Sequence, residues 1–524
     1  MIGQKQLLQM NAQSMADVLI NTGQVFVQKS QQGGGSPVIR GFEASRIQLS
    51  IDGIRHNNAI FRSGHLQNII SVDNNALEKV EVLSGPASTI HGADALGGVI
   101  LMKTIDPKLG KTKKGAVTGA QALVRYSSVN QEKTANVGLH FGNNQFASFT
   151  NITYSKFEDM TQGKNGVDSI MNLWKKKFII AQINGQDSMI ANPDPYKQVS
   201  TGYNQIDILE KITFAPSKKV KHGLNFQLSN SSDIPRYDRL TETSNGVAKN
   251  AEWYYGPQFR TLAAYTFDAV KMKGFFSDLT ANLSHQHWTE SRNNRGYKKP
   301  TLAQRTEKID VIGYNVALRH KDDMHELTIG TDGQFNMLKS KAYKTDRFTG
   351  VETKIDTRYP DGDNNMNLYS LFFQHTMKLA ENKVVINDGL RFNYTTLHST
   401  LVDTAVQFHL PVTDLKQQNK ALTGNLGVAF MPTDELRLTA NISSGFRSPN
   451  FDDMTKVFES NNNMLIVPNK SLKPEYSQNG EVGIGYNNGS FELNTYGFYT
   501  LFNNAIVVDK FLITDRILWN ITAT

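Results

Sequence analysis

The chain has 524 residues, more than a single hydrophobic core usually supports, so two or more structural units are expected. It contains no cysteine, which excludes disulfides, thiolate metal sites and cysteine nucleophiles. The net charge is +8, but the basic residues are dispersed and are not interleaved with aromatic side chains as in a nucleic-acid platform. We therefore expect no nucleic-acid partner.

The mean hydropathy of −0.41 favours a soluble protein, and no segment approaches the ~18 apolar residues of a transmembrane helix. That argument fails for a transmembrane barrel, because its strands alternate apolar residues outward with polar residues inward. The 40 glycines, 18 tyrosines and 28 phenylalanines favour β-rich structure with aromatic girdles. A soluble β-sandwich or propeller fits the same composition, so composition alone leaves both classes open.

Residues 1–106 have the pattern of a small mixed domain. A short helix is predicted between Gln9 and Gly23, because Met15, Val18 and Leu19 share one face. Short β-branched runs follow, and glycine-containing turns interrupt them. Those turns include Asp52-Gly53, Gly85-Pro86 and Gly97-Gly98. The pattern predicts a tightly turned α+β unit.

From about residue 116 onward, segments of about ten residues alternate apolar and polar side chains. Residues 436–443 are the clearest case, because Leu436, Leu438, Ala440 and Ile442 fall on one face. Roughly sixteen such strands are separated alternately by short turns and long polar segments, as in outer-membrane barrels with short periplasmic turns. We predict an all-β transmembrane antiparallel barrel over residues 107–524.

The number of strands bears on whether this barrel is complete. A barrel that is plugged by a domain needs about 22 strands, so sixteen leave several missing at the C-terminus. The first thirteen residues also lack the charged and apolar regions of a signal peptide. We expect a chain truncated at one or both ends, whose barrel is incomplete and does not close by itself.

The sequence offers no catalytic constellation. It has no His-Glu-x-x-His, Gly-x-Ser-x-Gly or Walker-type motif, so we do not expect an enzyme. His285 and His287 lie two apart on a predicted strand beside Trp288, which favours a position in the aromatic girdle over a metal pair.

Two segments, residues 38–55 and 80–105, resemble the plug of TonB-dependent outer-membrane receptors. Residues 443–454 and 467–475 are similar to the paired motifs of haem-uptake receptors. Residues 59–68 and 253–257 most resemble the Bacteroidetes-type receptors for haemoglobin, transferrin or lactoferrin. The resemblance implies a plug in residues 1–106 that fills and gates the barrel.

The family resemblance also implies a function and partners. It implies import of haem or a ferric siderophore across the bacterial outer membrane, powered by the TonB–ExbB–ExbD complex, with no intrinsic cofactor. Outer-membrane lipid and lipopolysaccharide are expected contacts, and a haem-binding surface lipoprotein or a host haemoprotein is a further partner. Two alternatives stay open: an importer of oligosaccharide or peptide, and a surface binding protein without transport.

Haem receptors of this family hold the iron between a plug histidine and a barrel histidine. The resemblance therefore implies His65 as the haem-iron ligand, with His56 as the other candidate on the plug. Residues 451–467, where the barrel ligand would lie, contain no histidine, which counts against haem.

Four further side chains are candidates for ligand contact. Arginine and asparagine can hold a carboxylate, a phosphate or a siderophore oxygen, and the alternative is that they support the fold. The candidates are Asn57, Asn58, Arg62 and Arg447.

Overall fold

The structure, a computed structural model, describes residues 1–29, 31–62, 68–111, 115–165, 175–402, 414–456, 458–460, 464–513 and 516–523. A mixed N-terminal unit is followed by a large antiparallel sheet rolled into a barrel. We refer to the sheet as the wall. No helix among the described residues is long and apolar enough to cross a membrane.

The N-terminal unit is built around a five-stranded mixed sheet. Its strands run in the order Ile2–Gly3, Leu77–Ser84, Gly98–Thr104, Ile47–Ile51 and Ile54–Arg55. A three-stranded sheet comprises Phe26–Gln28, Ser36–Ile39 and Phe42–Glu43, and the helices are Gln4–Met10, Met15–Asn21 and Ser88–His91. Single turns of 3-10 helix are Ala44–Arg46, Asn68–Ser71 and Asn74–Ala76.

The predicted first helix begins later than expected. It starts at Met15 because Ser14 caps it, accepting a hydrogen bond from the backbone of Asp17 at 3.4 Å. The predicted apolar face of Met15, Val18 and Leu19 is fully buried in the core of the unit. The structure also explains one of the predicted glycine positions, because a Cβ at Gly97 would lie 2.3 Å from the Cβ of Phe42.

Among the described residues the wall contains fifteen long strands, close to the roughly sixteen expected. They are Val117–Ser127, Glu132–Gly142, Phe146–Phe157, Tyr203–Ser217, Val220–Ser231, Phe259–Ala269, Asp278–Gly296, Thr301–Lys321, His325–Asp346, Asn364–Leu379, Val384–Thr400, Asp414–Phe430, Leu436–Arg447, Glu475–Asn487 and Glu492–Asn503. Each pairs antiparallel with the next along the chain.

The strand order closes on itself as a barrel, in which Glu492–Asn503 lies next to Val117–Ser127. The expectation that the barrel does not close by itself is therefore wrong, because the described strands already form a closed ring. The first eight side chains of Glu492–Asn503 are exposed on both faces, whereas other wall strands alternate.

Side chains on the wall follow an inverted pattern, with apolar residues outward and polar residues inward. Val137, Leu139 and Phe141 are about half exposed, whereas the preceding Asn136 faces inward, is buried and donates to Asn151 at 2.9 Å. An aromatic row also crosses four neighbouring strands of the outer face, formed by Tyr314, Phe335, Tyr369 and Tyr394. This is the arrangement of a lipid-exposed barrel with an aromatic girdle.

Short turns and long segments alternate between the wall strands. The long segments carry short elements of their own, which lie at the end of the barrel opposite the short turns. They are Met160–Thr161 with Lys197–Gln198, Phe178–Ile183 with Gln186–Ala191, Ile234–Pro235 with Asn250–Tyr255, Thr243–Ser244 with Val247–Ala248, Glu352–Lys354, the helices Tyr237–Leu240 and Phe451–Met454, and the sheet of Phe458–Ser460, Met464–Val467, Arg516–Ala523 and Ile506–Ile513.

The N-terminal unit lies inside the wall and contacts it through polar groups and through several separate apolar clusters. Asp73 accepts from Asn151 at 2.9 Å and from Thr153 at 2.6 Å. On another side, Arg40 forms an ion pair with Glu481 at 2.6 Å. The inward face of the wall is largely polar, and the apolar contacts among the described residues form separate clusters, such as Phe149 and Leu209 with Ala76 and Ile105.

Candidate ligand-binding site

The candidate site lies where the tip of the N-terminal unit meets the wall and the long segments. We define the apex segment as residues 56–62, which follow the strand Ile54–Arg55. Gln334 of the wall donates to the carbonyl of Asn57 at 3.1 Å, and Asn336 accepts from the backbone of Ala59 at 3.1 Å. The wall thus fixes the backbone of the apex segment from one side.

A short helix covers the apex segment from the other side. Asn450 donates to the carbonyl of Phe61 at 2.7 Å, and the backbone of Phe451 donates to Ala59 at 3.1 Å. Asn450 also caps the helix Phe451–Met454, so the same side chain starts the helix and holds the apex. Phe451 and Met454 are fully buried in one apolar cluster with Ile60 and Trp288. The apex is therefore enclosed.

Beside this apolar cover, Tyr255 is surrounded by arginines. Arg236 donates to its hydroxyl at 2.9 Å, and the guanidinium carbons of Arg62 and Arg292 lie 6.0 Å and 5.7 Å from its ring centroid. Burial alone would raise the pKa of Tyr255, but Arg292, Arg236 and Arg62 outweigh it and lower that pKa to about 8. The phenol is therefore close to ionisation near neutral pH.

The arginines have carboxylate partners as well. Arg62 donates to Glu290 at 3.0 Å, and Arg358 donates to Asp452 at 2.6 Å. Burial lowers the pKa of Arg62, but Glu290, Tyr255, Tyr359 and Asp452 together outweigh this and raise it above the ordinary value. Arg62, Arg236, Arg292 and Arg358, with Tyr255 between them, form what we call the arginine cluster.

Arg447 lies outside the arginine cluster, in a second charged network. It donates to Glu475 at 2.8 Å and forms an ion pair with Asp453, while Glu475 also accepts from Arg46 of the N-terminal unit at 2.6 Å. Arg447 thus links a long segment to the N-terminal unit through Glu475.

The other candidate residues lie in or near the apex segment. The His56 ring packs edge-on against Trp288 at 4.7 Å and is buried. Asn57 is fully buried and bridges its own sheet, accepting from Leu49 at 2.8 Å and donating to Ile47 at 2.9 Å. These contacts give both residues a structural role in positioning the apex.

Asn58 and His65 complete the candidate set. Asn58 is buried, and its side-chain oxygen accepts from the backbone of Ile60 at 3.1 Å. His65 lies outside the described residues, so its role as a haem ligand stays a prediction. Within the described ranges, no group of three His, Cys, Asp or Glu side chains could hold a metal ion.

Reasoning from sequence missed most of the arginine cluster. Arg236, Tyr255, Arg292 and Arg358 come from separate long segments and strand ends, and no local spacing brings them together. The only available signal was the aromatic run that includes Tyr255, at residues 253–257.

Comparison with known proteins agrees with this architecture. The family model for the β-barrel of TonB-dependent receptors matches residues 201–516, and the model for the receptor plug domain matches residues 1–99. The chain belongs to the TonB-dependent receptor family. Its location is the bacterial outer membrane, where receptors of this family form barrels. The N-terminal unit is from here on termed the plug.

Among curated relatives, a vitamin B12 transporter of Vibrio vulnificus is 32% identical over 504 residues, covering 94% of this chain and 65% of the relative. A hemin receptor of Yersinia pestis is 23% identical over 496 residues, covering 90% of this chain and 62% of the relative. The chain thus spans less than two thirds of the length of these relatives.

Solved structures show the same fold at low sequence identity. The copper transporter OprC superposes with a TM-score of 0.78 at 15% identity, covering 99% of this chain and 75% of that one. The Serratia marcescens hemophore receptor HasR, solved with its hemophore and heme, gives 0.75 at 16% identity, covering 100% and 76%. These names span several cargoes, so the likeness identifies the fold and not the ligand.

Proposed function

We propose that this protein imports an iron-containing nutrient, haem or a ferric siderophore, across the outer membrane with energy from the TonB–ExbB–ExbD complex. The observation that carries the proposal is the plug inside the barrel, whose contacts with the wall include polar ones such as those of Asp73 with Asn151 and Thr153. Polar contacts of this kind can exchange for water when a plug moves.

The enclosed apex fits a receptor that gates on binding. A ligand that reaches the plug has to displace the helix Phe451–Met454 or the segments around Tyr255. Because Asn450 bonds directly to the apex segment, such a displacement changes the contacts of the plug itself. Ligand binding would in this way be transmitted to the plug before energy is applied.

Two observations bear on the class of ligand. The arginine cluster places several guanidinium groups beside the apex, which suits an anionic group such as the carboxylates of haem or the oxygens of a ferric chelate. A hemophore or another haem-binding surface protein is a further partner that we propose, by analogy with the HasR complex. An oligosaccharide or peptide importer is the second candidate.

The test is growth of an iron-starved host on defined iron sources. Cells that make the protein should grow on haem or on a ferric siderophore, and the same cells without TonB should not. Growth on neither source, with uptake of an oligosaccharide instead, would favour the second candidate. Binding of the iron source without its uptake would support the surface binding protein.

Haem can be separated from a siderophore with two histidine variants. His65→Ala should abolish haem-dependent growth and shift the Soret band of bound haem, while growth on a siderophore stays unchanged. His56→Ala is the matched control, because the His56 ring already packs against Trp288. Full haem-dependent growth in His65→Ala would assign the iron source to a siderophore or to another carrier.

A further inference from the structure

Two histidines meet on the outer face of the wall, at the end of the barrel with the short turns. His325 begins one strand, and His375 lies near the end of the neighbouring strand, on the face that carries the exposed Ile329 and Phe373. Nδ1 of His325 and Nε2 of His375 are 3.0 Å apart, and the ring centroids are 5.2 Å apart. Because the centroid separation is close to the N–N distance plus the two ring radii, both nitrogens lie on the line that joins the rings.

A carboxylate fixes the orientation of one of these rings. Asp388 is the register partner of His375 on the next strand, and it accepts a hydrogen bond from Nδ1 of His375 at 3.0 Å. A neutral imidazole carries one N–H, so Nε2 of His375 presents a lone pair toward His325. A carboxylate on the far nitrogen is the partner that metal-binding histidines usually have, because it sets the tautomer and the direction of the ring.

A single proton occupies the space between the two rings, on Nδ1 of His325. A metal ion can take its place when this proton moves through solvent to Nε2 of the same ring, so that both rings stay neutral. An imidazole nitrogen binds an ion such as zinc at about 2.0 Å, so nitrogens on opposite sides of an ion are about 4 Å apart. The gap has to open by about 1 Å, which a rotation of His325 beside its turn supplies.

A thioether lies next to the histidine pair. Met377 is the register partner of His325 and lies two residues from His375 on the same strand, so the three side chains share one face. Opposed side chains in a sheet are about 5 Å apart, and a methionine reaches across that distance through flexible bonds. Within the described ranges no three His, Cys, Asp or Glu side chains could hold a metal ion, so the third donor here is sulfur. Imidazole with thioether sulfur is a ligand set that selects Cu(I).

The other pair of outward histidines has a different arrangement. His285 and His287 both contact the same oxygen of Asp310, at 3.1 Å and 2.9 Å, so their rings are directed at the carboxylate and not at each other. Their register partners on the neighbouring strands include no methionine. This pair therefore lacks the third donor and serves as the matched control.

We infer that His325, His375 and Met377 bind a Cu(I) ion on the outer face of the wall, with Asp388 as the positioning residue. The turns at residues 322–324 and 380–383 flank the site, and they belong to the short turns opposite the apex. In barrels of this kind the short turns face the periplasm, so the ion is taken up at that side. The site is separate from the apex, so copper binding does not depend on the imported nutrient.

The test uses the full chain without a histidine tag, purified in detergent, with Cu(I) as the probe. Competition with bicinchoninate under argon, with ascorbate as reductant, measures the copper that the protein holds. Wild type should hold one Cu(I) more than His325→Gln. Asp388→Asn should bind that ion about 10–100-fold more weakly, the effect of removing the partner behind a ligating histidine. X-ray absorption should show a sulfur ligand in wild type and none in the volume-conserving variant Met377→Leu.

The matched control is His287→Gln, which should bind as much Cu(I) as wild type. It removes an outward histidine from a wall strand in the same way, so a loss caused only by disturbed folding would appear in it too. Unchanged copper content in His325→Gln, an equal loss in His287→Gln, or a wild-type spectrum without a sulfur ligand would each overturn the inference.

Discussion

The contact between Asp52 of the plug and the wall offers a direct test of how the plug is held. Five hydrogen bonds converge on this one carboxylate. Thr104 donates from its backbone at 2.9 Å and its hydroxyl at 2.7 Å, and Lys211, Asn225 and Gln227 of the wall donate at 3.0, 2.9 and 3.3 Å. The side chains of Asp52 and Lys211 are only 10% and 8% exposed.

Replacement of Asp52 by asparagine removes the charge and keeps the shape. Asparagine is chosen because the backbone φ of Asp52 is +51°, a conformation that asparagine tolerates and most other residues do not. Breaking a buried ion pair costs about 3–5 kcal/mol. Lys211 keeps Asp106 at 2.9 Å, so we expect the lower end, about 3 kcal/mol. That free energy corresponds to an increase of about 100-fold in the fraction of molecules whose plug is detached from the wall.

Hydrogen exchange measures this change. The amides that join Ile47–Ile51 to Gly98–Met102 should exchange about 100-fold faster in Asp52→Asn, while those of the wall strand Val384–Thr400 should not change. Glu78→Gln is the control, because Glu78 pairs with Lys103 at the surface and such pairs contribute at most about 1 kcal/mol. Exchange in Asp52→Asn no faster than in the control would refute the reasoning.

Three further predictions follow from individual contacts. Because the pKa of Tyr255 is lowered to about 8, its ionisation stabilises the folded state fully above pH 10, and this stabilisation is lost as the pH falls through 8. The variant Tyr255→Phe should therefore lack one step in the absorbance titration of tyrosinate in this pH range. Its free energy of unfolding at pH 7 should be little affected by the lost ionisation. Arg447→Gln should lower the free energy of unfolding in urea by about 3–5 kcal/mol, because it leaves buried carboxylates uncompensated; an unchanged unfolding midpoint would show that the network contributes little. Gly97→Val should lower the thermal stability of the plug by about 1–3 kcal/mol through its clash with Phe42, whereas Gly3→Ala, with nothing within 4 Å, should not.

The wall could be predicted from sequence because its signal is local and repeated. Alternation such as that of Val137, Leu139 and Phe141 is fixed by the two-residue period of a strand and by the contrast between lipid and a polar interior. The plug was predictable for a different reason. Its close packing needs glycine at particular positions, as at Gly97 against Phe42, so the residue pattern is visible in the sequence.

The candidate site could be predicted only in part. Reasoning from sequence selected Arg62 because it follows a turn of the plug, and Arg62 does lie in the arginine cluster. It could not show that Arg236 and Arg358 lie beside it, since they come from long segments separated by more than a hundred residues. Polar side chains such as Asn57 were also ambiguous, because an amide that bridges two backbone strands and an amide that binds a ligand have the same sequence signal.

Uptake of radioactive iron by iron-starved cells tests the central claim most directly. Cells that make this protein should accumulate iron supplied as haem or as a ferric siderophore. Matched cells that lack TonB should bind the iron source at the surface and accumulate none. Equal accumulation with and without TonB, or no accumulation from any iron source, would contradict TonB-dependent iron import by this protein.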